Sequence, residues 1–203
     1  MAAHQATERY LSEHPGAFTY TSVRESLYSE SFPLYTAGFN LKNPVEEIRI
    51  PHSGFGPGIA WVKPDELGEA TANLIMSYAN NPGAFKIVNK LVLLSGPQEL
   101  SLNETVAALR RAVGRPVRIC EIPHDYYGNK RGREKNHTYR GVDAEGELYR
   151  STYDAIRAGD AAVVSPTLRE VLDREPESFE ETIRRMAEKP KIQGAQWASD
   201  LMY

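Results

Sequence analysis

Cysteine is scarce in this chain, long apolar runs are missing and neither sign of charge dominates; each shortage removes a class of function. One cysteine, Cys120, in 203 residues excludes an internal disulfide. It also points to a reducing, cytoplasmic setting. No stretch approaches the roughly 18 consecutive apolar residues of a membrane helix, and the opening "MAAHQATERYLSEHPG" lacks the basic-then-apolar order of a secretion signal. No membrane partner is expected. With 24 Lys and Arg against 27 Asp and Glu the net charge is −3, which gives no general attraction for nucleic acid. The five histidines, His4, His14, His52, His124 and His137, show no metal-ligand spacing, so no metal is expected. No Gly-x-Ser-x-Gly elbow supports a serine hydrolase.

What is present suits one well-buried domain, since 41% of the residues are hydrophobic. The spacing predicts a helix over 2–13, a strand over "FTYTSVR" (18–24) and a loop over 26–44. Short strands follow at "EEIRIP" and "GIAWV", then a helix opened by Pro64 and capped by Asp65. Its apolar face would hold Leu67, Ala70, Thr71, Leu74, Ile75 and Tyr78. "NKLVLLSG" (89–96) reads as a strand covered on both faces. Ser101 and Glu104 form a capping box for a helix that runs to Val113 and stops at Gly114. "PVRICEIP" is a further strand, 124–147 an irregular surface loop, and helices follow at "YRSTYDAIRAG", "TLREVLDREP" and "SFEETIRRMAEK", with a loosely held tail beyond Pro190. Alternating strands and helices make the class α/β. The strands are few and short, which implies an incomplete sheet.

Three glycines and a proline in "GFGPG" (54–58) invite a nucleotide-binding reading. Such a turn joins a strand to a helix whose free N–H groups hold the phosphates. Here a second extended segment follows, and Pro57 removes one donor, so this is a turn. Tyr126 and Lys130 have the Tyr-x-x-x-Lys spacing of a reductase acid/base pair, but Gly128-Asn129 breaks the helix that spacing needs. The basic run "NKRGREKNH" (129–137) has no nucleic-acid motif beside it. Cys120, inside a strand, reads as a small buried apolar group. Arg24, Glu25, Tyr28, Glu30 and Tyr35 gather where the 18–24 strand ends, the edge where open α/β sheets bind ligands. The same residues also suit an ordinary salt-bridged loop.

"ATERYLSEHPGAFTYTSVRESLYSESFPLY", "IRIPHSGFGPGIAWVKPDELGEATANLI", "KLVLLSGPQELSLNETVAALRRAVGRPV" and "SPTLREVLDREPESFEETI" together resemble the second half of NmrA-like proteins. These are atypical short-chain dehydrogenase/reductases abundant in fungi. The resemblance spans most of the chain outside 124–147. It implies a single domain over 1–203: a partial Rossmann-like fold without its N-terminal dinucleotide-binding half and with a small, mostly helical C-terminal substrate lobe. It further implies an NADP- or NAD-dependent oxidoreductase, here without its Gly-rich cofactor turn, acting on a small organic substrate, such as a tailoring enzyme of a fungal secondary-metabolite pathway. Arg24, Glu25 and Tyr28 would lie beside the nicotinamide; no catalytic residue is named. The chain departs from the pattern at His4, where related reductases often place a lysine four residues before the glutamate (here Glu8), and at Asp173, where the family usually has glycine. A non-catalytic regulatory or binding protein, or a degenerate half-domain, remains an alternative. An incomplete sheet would be covered by self-association or by a protein partner.

Overall fold

The computed structural model of the protein describes residues 2–14, 16, 18–123 and 144–188. Its strands are β1 (Thr21–Glu25), β2 (Glu47–Ile50), β3 (Lys90–Leu94) and β4 (Arg118–Glu121). Its helices are α1 (Ala2–Glu13), α2 (Pro64–Asn80), α3 (Leu102–Val113), α4 (Ala144–Arg157), α5 (Thr167–Leu172) and α6 (Phe179–Glu188), with 3-10 turns at Ser29–Tyr35 and Pro82–Ala84. The class is α/β, as the alternation of strand and helix signals predicts. The single incomplete sheet of the sequence reading is instead two separate parallel pairs among the described residues, β1 with β3 and β2 with β4. Thr21 is aligned with Lys90 in the first pair and Glu47 with Arg118 in the second.

The segment 58–62 joins these pairs. "GIAWV" is not a strand, although its composition predicts one. It makes two isolated bridges, Ile59 to Leu100 and Val62 to Tyr28, and its backbone groups are shared among several neighbours. Ala60 N–H donates to Ala161 O, Val62 N–H to Leu27 O, and Gly96 N–H to Ala60 O. No single neighbour runs alongside it, so a continuous ladder never forms. Its side chains divide the interior. Ile59 and Trp61 belong to the larger core, with Phe32, Ile48, Ile50, Leu109, Tyr153 and Phe179. Val62 belongs to a smaller one, with Leu67, Leu94 and Leu168.

Local signals fix most helix ends. Ser101 accepts from the Glu104 N–H while Glu104 returns a bond to the Ser101 N–H, the predicted capping box, and Gly114 closes α3 in the left-handed conformation at φ 63°. α2 begins at Pro64, but Asp65 does not cap it: Lys63 stands at the N-cap without a side-chain bond, and Asp65 lies within the first turn. Only the first half of the predicted α2 face is covered. Leu67 and Ala70 are buried, whereas Ile75 and Tyr78 are exposed. α4 starts at Ala144, so the predicted loop ends earlier than residue 147; Tyr126, Lys130, the basic run and the tail beyond Pro190 lie outside the described residues. Cys120 lies in β4 as predicted, but half-buried rather than buried.

Asp173 ends α5 at φ 53°. That left-handed conformation is what a glycine adopts freely and a residue with a Cβ adopts at a penalty. Asp173→Gly is therefore expected to raise stability by up to about 1 kcal/mol, read as a higher urea midpoint at unchanged slope.

Candidate functional site

The strand β1 alternates its side chains between two faces, and this separates residues that sequence alone groups together. Arg24 turns toward α1, where its Nε and Nη2 donate to Glu8 at 2.9 and 2.6 Å; Ser22, on the same face, adds a bond to Glu8 at 3.3 Å. The guanidinium holds the Glu8 carboxyl below its ordinary range. Glu25 lies on the opposite face and accepts from the Tyr28 hydroxyl at 2.6 Å. The structure thus brings Glu25 and Tyr28 together at the carboxyl end of β1 and ties Arg24 elsewhere.

Tyr28 is 42% exposed. Its bond to Glu25, with some burial, pushes its pKa above the usual tyrosine value. A carboxylate acceptor favours the neutral phenol, the opposite of what a lysine neighbour does in a proton-donating tyrosine. Tyr28 is thus a hydrogen-bonding group that stays protonated. One residue beyond Leu94, the register partner of Glu25, a hollow of about 240 Å³ opens between Ser95, Pro97, Ser165, Pro166, Arg169 and Glu175. The polar floor of this hollow is already bonded. Ser165 N–H donates to Ser95 Oγ at 2.8 Å, and Ser165 Oγ in turn meets Thr167.

The glycine cluster is a turn. A Cβ at Gly58 would lie 2.0 Å from the Leu100 carbonyl oxygen, so protein backbone occupies the space that a phosphate would need. The Gly58 N–H donates to the Glu99 carboxylate at 2.7 Å, which uses the amide and sets a negative charge where an anion would sit. Gly54 and Gly56 supply positive φ, 88° and 93°, for the chain reversal.

Three polar groups of the interior have a burial that motif reading does not show. Ser29 Oγ, Glu30 Oε2 and His52 Nε2 are buried without a protein partner. Burial, with Asp65 and Glu177 nearby, raises the Glu30 carboxyl. Glu66, nearly fully buried, accepts from the Glu177 N–H at 3.0 Å and from Arg174. Glu177 in turn binds Lys63 at 3.0 Å and Arg185; these bonds outweigh its burial and lower its pKa. This network straps the C-terminal helices to the start of α2. The bonds that join Lys63 and Glu66 to Arg174 and Glu177 span 108 to 114 residues, a separation no local spacing can signal.

His52 accepts the Gly54 N–H at its Nδ1. Burial first, then the nearby Arg157 charge, lowers its pKa against a smaller opposing effect of Glu121. The unfolded chain therefore takes up a proton near the ordinary pKa of 6.5 while the folded chain resists it. The stability His52 contributes is complete above that value and is lost as pH falls toward its depressed folded pKa. Urea midpoints are expected to fall with acidification from pH 6.5, by at most about 1.4 kcal/mol per pH unit from this one group. His52→Asn keeps an acceptor for Gly54 and is expected to flatten that portion of the profile.

No family model matches the chain. It is 26% identical, over 189 residues, to the NmrA-like family domain-containing oxidoreductase flvB of Aspergillus flavus; the match covers 91% of this chain and 54% of that protein. The chain thus spans about half the length of the curated relative it matches. Among solved structures it resembles an NADPH-dependent quinone oxidoreductase from Escherichia coli, with a TM-score of 0.71 at 16% identity over 91% of this chain and 60% of the other. The Citrobacter sp. triphenylmethane reductase complexed with NADP(H) gives 0.59 at 20% identity, over 83% of this chain and 53% of that one. NmrA, a negative transcriptional regulator in complex with NADP, gives 0.55 at 18% identity, over 90% and 57%. At these identities the structural likenesses establish the fold.

Proposed function

The chain is NmrA-like, and from that premise we propose that it forms the substrate-side part of an NAD(P)(H)-dependent oxidoreductase acting on a small organic molecule. The observation that carries the reading is the Glu25–Tyr28 pair at the carboxyl end of β1. That is the end of an open parallel sheet where ligands bind. Tyr28, held neutral by Glu25, offers a substrate one hydrogen bond and an aromatic face. Arg24 is bonded to Glu8 in the β1–α1 contact, so the reading rests on Glu25 and Tyr28.

The glycine-rich turn at 54–58 does not fit a cofactor's phosphates, because it is filled by the Leu100 backbone and faces Glu99. No hydride step is assigned to this chain's groups. A tailoring role in fungal secondary metabolism rests on the resemblance, and the identity of the substrate decides it.

Calorimetric titration of the chain with aromatic carbonyl compounds tests the proposal. Saturable binding is expected, weakened about tenfold by Tyr28→Phe, roughly the 1.4 kcal/mol of one hydrogen bond. Binding untouched by both Tyr28→Phe and Glu25→Gln moves the site elsewhere. A stoichiometric protein partner with no small-molecule binding selects the non-catalytic regulatory reading instead.

A further inference from the structure

Two carboxyls of the interior are pulled in opposite directions around one lysine, and the backbone brings the three together. The Ser29 N–H donates to Val62 O and the Val62 N–H to Leu27 O, so Glu30 and Lys63 leave the parallel bridge between Tyr28 and Val62 as near neighbours. Lys63 Nζ lies 3.0 Å from Glu177 Oε2 and 3.8 Å from Asp65 Oδ2. The Lys63 and Glu177 side chains are 15% and 12% exposed, whereas that of Asp65 is 87% exposed and screened by water. Glu177 also accepts from Thr182 Oγ1 at 2.9 Å and pairs with Arg185. Its N–H bonds to Glu66, and Arg174 pairs with both Glu66 and Glu69. Glu181, bonded by Ser178, adds a further negative charge facing Glu177. Each of these anions has a cation or a donor. Glu30 differs, because its Oε2 is buried without a protein partner. A carboxyl so placed is favoured as the neutral acid and costly as the anion. Lys63 is the cation whose charge reaches it, and Lys63 is already engaged by Glu177.

We propose that Lys63 is exchanged between the two carboxyls as a pH-sensitive latch. While Glu30 is protonated, the ammonium holds Glu177 and the C-terminal helices stay strapped to α2. When Glu30 gives up its proton, the ammonium turns to Glu30 and the strap loosens. A lysine head on its flexible stem makes this exchange by side-chain rotation. Glu177 keeps Arg185 and Thr182 throughout, so its end of α6 slackens and is not released. Phe179, two residues further on, stacks on Trp61 and carries the change to the larger core.

The two carboxyls set the working range. Burial first, then the Asp65 and Glu177 charges, raise Glu30 above 4.5, against its own backbone N–H and Lys63. The stability carried by its neutral form is complete below 4.5 and is lost as pH rises through the raised folded value. Burial works to raise Glu177 as well, but the bonds from Lys63 and Thr182 and the charges of Lys63 and Arg185 bring it below 4.5. Its contribution is present above 4.5 and is lost as pH falls through the lowered value. The strap is therefore tightest between the two values, and it slackens on the alkaline side when Glu30 ionises.

NMR of the 203-residue chain, labelled at the glutamate carboxyl carbons and the lysine amino nitrogens, tests this. Glu30 is expected to titrate above 4.5 and Glu177 below it, with the Lys63 Nζ signal moving at both inflections. Across the upper inflection the protection of the Glu177 and Thr182 amides against hydrogen exchange, corrected for the intrinsic rate, is expected to fall about tenfold, within the range for groups coupled in one network. Glu30→Gln keeps the shape of the side chain and stays neutral. It is expected to keep the lower inflection, lose the upper one and hold the amide protection constant across it. Should that variant not fold, the wild-type Lys63 signal decides by itself. Glu30 titrating at or below 4.5, a Lys63 signal indifferent to the upper inflection, or amide protection that falls equally in Glu30→Gln overturns the proposal. None of these readouts depends on ligand binding or turnover.

Discussion

Trp61→Ala is expected to destabilise the fold by about 3–5 kcal/mol, a large part of the 5–15 kcal/mol that holds a domain together. Trp61 is 1% exposed. Its ring stacks on Phe179 with centroids 5.0 Å apart, meets the Tyr35 ring edge-on at 5.5 Å, and donates its indole N–H to Thr105 Oγ1 at 3.0 Å. Alanine would leave a cavity between α3, α6 and the 3-10 turn Ser29–Tyr35, and it would strand the Thr105 hydroxyl. Three long-range connections depend on this one side chain, so no nearby residue can close the gap. The expected result is a urea midpoint so low that much of the variant is unfolded in buffer. Trp61→Phe retains the stacking and loses the hydrogen bond, and is expected to fall between alanine and wild type. Equal midpoints for the alanine variant and the wild type would show that the larger core is not centred here.

The sequence made the local structure legible and left the assembly hidden. The capping box at Ser101 and Glu104 and the Gly114 end of α3 are encoded within a few residues, and they appear where expected. Asp173 was marked only by its departure from a family glycine, and its left-handed backbone now gives the physical reason. "GIAWV" failed as a strand because its composition records burial on both sides, while strand identity requires a single neighbour running alongside it. The candidate site was half legible. Strand alternation separates Arg24 from Glu25, yet nothing in the sequence places Glu8 under Arg24 or shows that Tyr28 reaches back to Glu25. The strap from Glu66 to Arg174 and Glu177 is encoded only by the fold, and the buried His52 was weighed as a metal ligand when its environment makes it a neutral core group.

The same change, glycine to alanine, is expected to have opposite signs at two positions, and the reason lies in backbone geometry. At Gly96 an added Cβ would stand 1.6 Å from the Trp61 carbonyl oxygen and 2.6 Å from its carbonyl carbon. Those are backbone atoms of the segment that divides the two cores, so neither side can yield by turning a side chain. The Gly96 N–H also bonds to Ala60 O, which ties the two chains at that separation. Relief requires β3 and the 58–62 segment to part, breaking that bond and disturbing both Trp61 and Val62. Gly96→Ala is therefore expected to cost about 3 kcal/mol, the upper end for overpacking. Gly68 lies in the interior of α2, where an added Cβ meets nothing within 4 Å. There alanine removes backbone freedom from the unfolded chain and fits the helix, so Gly68→Ala is expected to raise stability by about 0.5–1 kcal/mol. Chemical denaturation of both variants at pH 7 checks the pair. A Gly96→Ala midpoint equal to the wild type would mean that the two segments are not held at this distance, and the central role given to residues 58–62 would fall with it.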